Sequence, residues 1–122
     1  MPSIDRPLSG DVLAFDLATE REHVTDPAIL DRSKRNARTL LKAGPLRVTL
    51  VVVAAGGEIR EHIADGPITV QPLDGKVRVH VQDETYEIGA GQLLAIGAGV
   101  PHAVDSRDGG TFLLTIASPA TS

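Results

Sequence analysis

The sequence predicts an all-β fold, a barrel or sandwich preceded by a mainly helical or irregular N-terminal arm. Three observations carry this expectation. From Thr39 onward, short apolar segments recur between Gly, Pro and Asp-Gly turns. One of them alternates cleanly, with Val77, Val79 and Val81 on one face and Lys76, Arg78, His80 and Gln82 on the other. Hydrophobic residues make up 42% of the 122, yet aromatics only 2%, so the core must be aliphatic.

The elements follow in order along the chain. Residues 1–10 hold two prolines and a Ser-Gly pair and read as a loose arm. Asp11–Leu17 (DVLAFDL) is expected as a first strand. Asp26-Pro27 reads as an N-cap followed by proline at the first helical position, predicting a short helix near Ala28–Asn36. Its Arg32, Lys34, Arg35 and Arg38 form a small basic cluster. TLLK, the Ala43-Gly44-Pro45 turn and LRVTLVVV predict a hairpin whose second arm is buried. PITVQPL is a further strand, ended by Asp74-Gly75, a strong hairpin dipeptide. The alternating strand KVRVHVQ comes next. Gly89-Ala90-Gly91 turns the chain, QLLAI runs back, Gly97-Ala98-Gly99 turns it again, and Thr111–Ala117 supplies the last strand. The expected division is an arm over 1–36 and a barrel over 37–122, in one domain.

Composition excludes several classes of function. With no cysteine, disulfide scaffolds, thiolate metal sites and cysteine nucleophiles are ruled out. Twelve basic residues stand against sixteen acidic ones. From Val48 on, four basic residues face nine acidic ones, which argues against a nucleic-acid or anionic-membrane partner there. The N-terminus does not read as a signal peptide, and the apolar run Val48–Ala55 is far shorter than a spanning helix, so a soluble cytoplasmic protein is expected. There is no Walker lysine motif, no G-x-G-x-x-G and no G-x-S-x-G elbow.

Two spaced patterns carry a family resemblance. Gly91, QLLAI, Gly97-Ala98-Gly99, two residues, His102 and then Ser106 resemble the second motif of the cupin superfamily, which usually has proline at the place of Gly97 and asparagine at the place of Ser106. Gly56, His62, Ala64, Ile68 and Gly75 match the spacing of the first cupin motif. Glu61-His62-x-Ala64-Asp65-Gly66-Pro67 is similar to a subgroup of small single-domain cupins. The resemblance spans roughly residues 46–117 and implies a jelly-roll, double-stranded β-helix barrel, commonly paired as a homodimer.

The resemblance also implies a site. Metal-binding cupins supply two histidines and a glutamate from the first motif and a third histidine from the second. Only His62 and His102 stand at such positions here; Ala64 and Ile68 occupy the other two and cannot coordinate a metal. The expected pocket residues are Arg60, His62, His102 and Val104. Arg60 would meet an anionic ligand if it faces inward beside His62. Parity alone puts Arg60, His62 and Ala64 on one face of their strand, and His102 and Val104 on one face of theirs. His80 and His23 are read as exposed. Two readings follow. One is a metal-free module binding a small organic ligand in the barrel, in a sensing or accessory role, its two imidazoles serving as hydrogen-bonding or acid–base groups. The alternative is a metal-dependent oxygenase or isomerase holding Fe, Mn, Zn, Ni or Cu at His62 and His102. In the second, the apolar lining of Val51, Val53, Leu94, Ile96 and Val104 would exclude water around the substrate.

Overall fold

The computed structural model describes residues 7–119; most of the expected loose arm, residues 1–6, lies outside them. The expected all-β jelly roll forms: among the described residues, eight antiparallel strands build two sheets joined continuously through one shared strand, with two short helices before them. The elements are α1 (Leu17–Val24), α2 (Pro27–Ser33), β1 (Arg35–Ala43), β2 (Leu46–Val53), β3 (Glu58–His62), β4 (Ile68–Val81), β5 (Glu84–Gly89), β6 (Leu94–Ile96), β7 (His102–Asp105) and β8 (Gly110–Ala117). The main path runs β1-β2-β8-β4-β7-β3, with β5 and β6 also paired to β4. No helix among the described residues is long and apolar enough to cross a membrane.

The first expected strand, Asp11–Leu17, does not form; Leu17 instead opens α1. The Asp16 carboxylate caps that helix, accepting from the amides of Ala18 (3.0 Å) and Thr19 (3.3 Å). Its apolar face is only Leu17 and Val24, two turns apart, too sparse a pattern to announce a helix. The predicted Asp26 cap is present on α2, but the helix ends at Ser33 because Lys34 takes a left-handed conformation (φ 64°). Arg35 and Arg38 therefore belong to β1, and the basic cluster is dispersed. Arg38 reaches Glu20 of α1 at 2.9 Å, tying helix to sheet.

β2 explains its own apolar run. Leu50 and Val52 face outward, where they pack with Val24, Leu40 and partly buried Phe15 and Leu30 beneath the helices. Val51 and Val53 face the barrel interior with Val70, Val79, Ile96 and Phe112. Both faces are covered, so the strand carries no polar alternation at this end. The expected lining residues Val51, Val53, Ile96 and Val104 are all buried in the inner core, and Leu94 packs against it. Each fully buried aliphatic chain there contributes roughly 1.5–3 kcal/mol relative to exposure.

Asp74-Gly75 is not a hairpin turn. β4 runs straight through it for 14 residues. Residues 68–75 pair with β8, and residues 76–81 pair with β5 and β7. A register shift between Pro72 and Asp74 and a positive φ of 67° at Gly75 bend the strand from one sheet into the other. The hairpin lies seven residues later, at Gln82 (φ 55°) and Asp83, joining β4 to β5.

Candidate functional site

A cavity of about 280 Å³ opens at one end of the barrel. Its floor comes from the inner face of β1, β2 and β8, whose registers stack side chains in cross-strand rows. Thr39 pairs with Thr49, and Thr49 with Leu114. One row toward the mouth, Arg47 of β2 opposes Ile116 of β8. One row deeper, Ala37, Val51 and Phe112 align. The inner face thus grades from a guanidinium at the rim, through hydroxyls, to pure hydrocarbon. Arg47 is exposed and forms no ion pair among the described residues. Across the mouth stand His62, His102, Ile68 and the segment Ile63-Ala64-Asp65.

The two histidines of the motifs meet. His62 on β3 is the cross-strand partner of His102 on β7, and their ring centroids lie 4.3 Å apart at 62°. His102 is buried at 3% exposure, whereas His62 is exposed at the mouth. His62 Nδ1 lies 2.9 Å from the Arg60 carbonyl oxygen, and His102 Nδ1 3.0 Å from that of Val100. A carbonyl only accepts, so each Nδ1 carries the hydrogen. In the neutral rings both Nε2 atoms keep their lone pairs and have no partner among the described residues. Backbone carbonyls thereby orient both imidazoles as paired acceptors.

Of the other two expected pocket residues, neither lines this cavity. Arg60 is exposed and points away from it. The cause is a bulge: Ile59 pairs with Val104 and His62 with His102, three steps on β3 against two on β7. The extra residue puts Ile59 and His62 on the inner face together and breaks the parity that would have brought Arg60 along. Val104 is buried at 4% exposure in the inner core rather than on the cavity wall. The basic group at the mouth is Arg47. Its signal was legible in LRVTLVVV, where Arg47 and Thr49 share the parity of inward-facing Val51 and Val53. Polar residues at one end of an inward-facing row mark the mouth of a barrel. Asp65, on the segment across from Arg47, was likewise not singled out.

The residues present do not fit the four-ligand metal centre of metal-binding cupins. Ala64 and Ile68 stand in the cavity wall at two of its positions. Among the described residues no group of three or more His, Asp or Glu side chains is placed to hold a metal ion. Two imidazoles are one ligand short of the usual minimum of three from the protein.

A second polar cluster lies on the outer face, away from the cavity. Asp105 of β7 accepts from Arg78 Nε at 2.6 Å and pairs with His80 Nε2 at 2.7 Å. His80 Nδ1 lies 2.9 Å from the Thr85 hydroxyl of β5. Burial alone would raise the Asp105 carboxyl, but hydrogen bonds from Arg78 and His80, and their charges, outweigh it and hold its pKa below the ordinary value. His80 is therefore a cross-strand tie rather than a solvated side chain. Ser106, where cupins usually have asparagine, is 1% exposed. Its hydroxyl donates to the Lys76 carbonyl at 2.6 Å and accepts from the Gly109 amide at 2.9 Å. Its role is to lock the end of β7 to the bend in β4.

The chain is similar in structure to a conserved protein of unknown function from Streptococcus pyogenes, at 26% identity and a TM-score of 0.75, covering 94% of this chain and 95% of that one. It also resembles a cupin superfamily protein from Desulfitobacterium hafniense, at 16% identity and a TM-score of 0.67, covering 70% and 78% of the two chains. A salicylate 1,2-dioxygenase from Pseudoaminobacter salicylatoxidans shares the fold at 14% identity and a TM-score of 0.76, covering 84% of this chain and 32% of that one. No curated protein matches the chain in sequence. The cupin-domain family model matches residues 49–116, which takes in both motif histidines and most of the barrel. By that match and by its barrel, the chain belongs to the cupin family.

Proposed function

We propose that this chain is a binding module for a small organic hydroxy-carboxylate held at the mouth of the barrel, acting in a sensing or accessory role. One observation carries the reading: a guanidinium in no ion pair among the described residues and two oriented imidazole acceptors share a cavity whose remaining wall mixes aliphatic side chains with Thr39, Thr49, Asp65 and Ser118. Arg47 meets the carboxylate with a charge-assisted contact. The Nε2 lone pair of His62 accepts from the hydroxyl, and the Thr49 hydroxyl is within the same wall. Asp65 on the other lip keeps the mouth near neutrality and disfavours dianions. The barrel interior behind these groups supplies apolar contact without a charge to solvate.

Titration calorimetry with lactate, acetate and malate tests this. Lactate is expected to bind best, acetate more weakly for want of the hydroxyl, and malate more weakly for its second charge. Arg47→Ala is expected to weaken lactate about tenfold, the worth of one charged hydrogen bond. His62→Ala is expected to remove the preference for lactate over acetate. Equal binding of all three acids, or binding untouched by Arg47→Ala, would overturn the reading.

A second reading, a metal-dependent enzyme using His62 and His102, is favoured by the same free Nε2 pair. Elemental analysis of protein purified without chelators or a histidine tag separates the two. Near-stoichiometric metal that disappears in His62→Ala or His102→Ala would replace the binding reading with the enzymatic one.

A further inference from the structure

A second cavity, about 430 Å³, opens at the seam between the sheet-edge strands β1 and β3, beside α2. It shares Thr49 and Leu114 with the mouth cavity, so these paired residues form a wall common to both. Beyond them its surface is aliphatic: Ile29, Ala37, Val51 and Ile59. Two polar residues on its rim are already engaged, and Ser33 lies at its exposed end. Arg35 donates to the Glu58 carbonyl at 3.2 Å, and the Asn36 side chain donates to the Val24 carbonyl at 3.0 Å. Its aliphatic part, Ile29, Ala37, Val51 and Ile59, suits a hydrocarbon chain.

The registers give the distance between the two ends. From Arg47 to Val51 is four residues along β2, about 13 Å at the rise of an extended strand. One molecule reaching both ends needs a charged head and an apolar tail of medium length. No Phe, Tyr or Trp side chain lines the second cavity, so nothing there selects a planar tail by stacking.

We infer that the ligand is an amphipathic hydroxy acid of medium chain length, its head at Arg47, His62 and His102 and its aliphatic tail in the chamber of Ile29, Ala37, Val51 and Ile59. This rests on the hydroxy-carboxylate reading of the mouth and adds the tail. The head supplies orientation and the tail most of the affinity, which grows with each methylene that leaves water.

The test is calorimetry with lactate, hydroxyhexanoate, hydroxyoctanoate and hydroxydecanoate, each carrying the hydroxyl next to the carboxylate. Affinity is expected to rise about fourfold per methylene and to level off once the chamber is filled. Ala37→Phe places a ring in the chamber from an edge-strand position where the residue is exposed, so it displaces no packed neighbour. That variant is expected to bind lactate as the parent does and to lose the gain with chain length. Ala37→Ser keeps the chamber open and is expected to retain the gain. Binding of lactate with no chain-length dependence would overturn the tail assignment and leave the mouth reading standing. Chain-length dependence unaffected by Ala37→Phe would place the tail elsewhere and also overturn it. Failure of all four acids to bind would overturn both.

Discussion

Replacing Gly75 by alanine separates two costs that the fold combines at one residue. Gly75 has a φ of 67°, and a Cβ built there would lie 2.3 Å from the Gly109 carbonyl oxygen and 2.8 Å from the Gly110 Cα. Both neighbours are backbone, held by β4–β8 pairing, and cannot rotate away. The left-handed conformation costs a non-glycine residue about 1–2 kcal/mol, and the forced overlap adds about 1–3 kcal/mol. Gly75→Ala is therefore expected to destabilise by about 3 kcal/mol. At roughly 4 °C per kcal/mol for a chain of this size, the melting temperature falls by about 12 °C. Gly44→Ala is the control: its φ is 56°, but nothing lies within 4 Å of the added methyl. It is expected to cost about 1 kcal/mol, the conformation alone. Urea unfolding followed by far-ultraviolet circular dichroism measures both. If the two variants fall within about 0.5 kcal/mol of each other, near the accuracy of such comparisons, the close approach of β4 to the 109–110 backbone is not what holds the bend.

Three further substitutions probe other parts of the structure. Ser106→Ala leaves the partly buried Gly109 amide without its acceptor, and a loss of about 1 kcal/mol is expected in the same unfolding assay. Asp105→Asn removes a carboxylate held below its ordinary pKa. That stabilisation is complete above the unfolded value of about 3.9 and disappears as pH falls through the lower folded value. The parent and Asp105→Asn are thus expected to differ by about 0.5–1 kcal/mol at neutral pH, the worth of a partly exposed ion pair, and to converge in strong acid. A difference that persists below the folded value would point to lost packing instead. Asp26→Ala removes the cap that holds the Ala28 and Ile29 amides at 3.0 and 3.3 Å, and a loss of about 1 kcal/mol is expected from thermal unfolding.

Much of the barrel was legible in the sequence because it depends on short-range rules. The alternation of Val77, Val79 and Val81, the turn glycines and the spacing of His62 and His102 are all local, and all correspond to features of the structure. Two of the misreadings share a physical source: a single residue whose effect is set by partners distant in sequence. Asp74-Gly75 has the chemistry of a hairpin turn, but Gly75 spends its positive φ on a bend dictated by the backbone of residues 109–110. The bulge in β3 moved Arg60 to the outer face, and nothing in EIREH marks it. Arg47 is hard to read from sequence for a different reason. It lies before the segment that resembles the first motif, and only the inward parity of its strand distinguishes it from a surface arginine.

The 14 residues of β4 hydrogen-bond to four other strands, serving one sheet with the first half and the other sheet with the second. A strand shared in this way makes the two sheets mechanically inseparable. Neither can open alone without tearing a ladder that the other also uses, so the barrel has a single cooperative unfolding unit. Partial opening is left to the seam, where β1 and β3 each have a neighbour on one side only. Amide exchange should therefore be slowest along Val77–Val79 and fastest along the seam. The second cavity lies at that seam, so a ligand with a tail would enter and leave through the part of the barrel able to breathe without unfolding the rest.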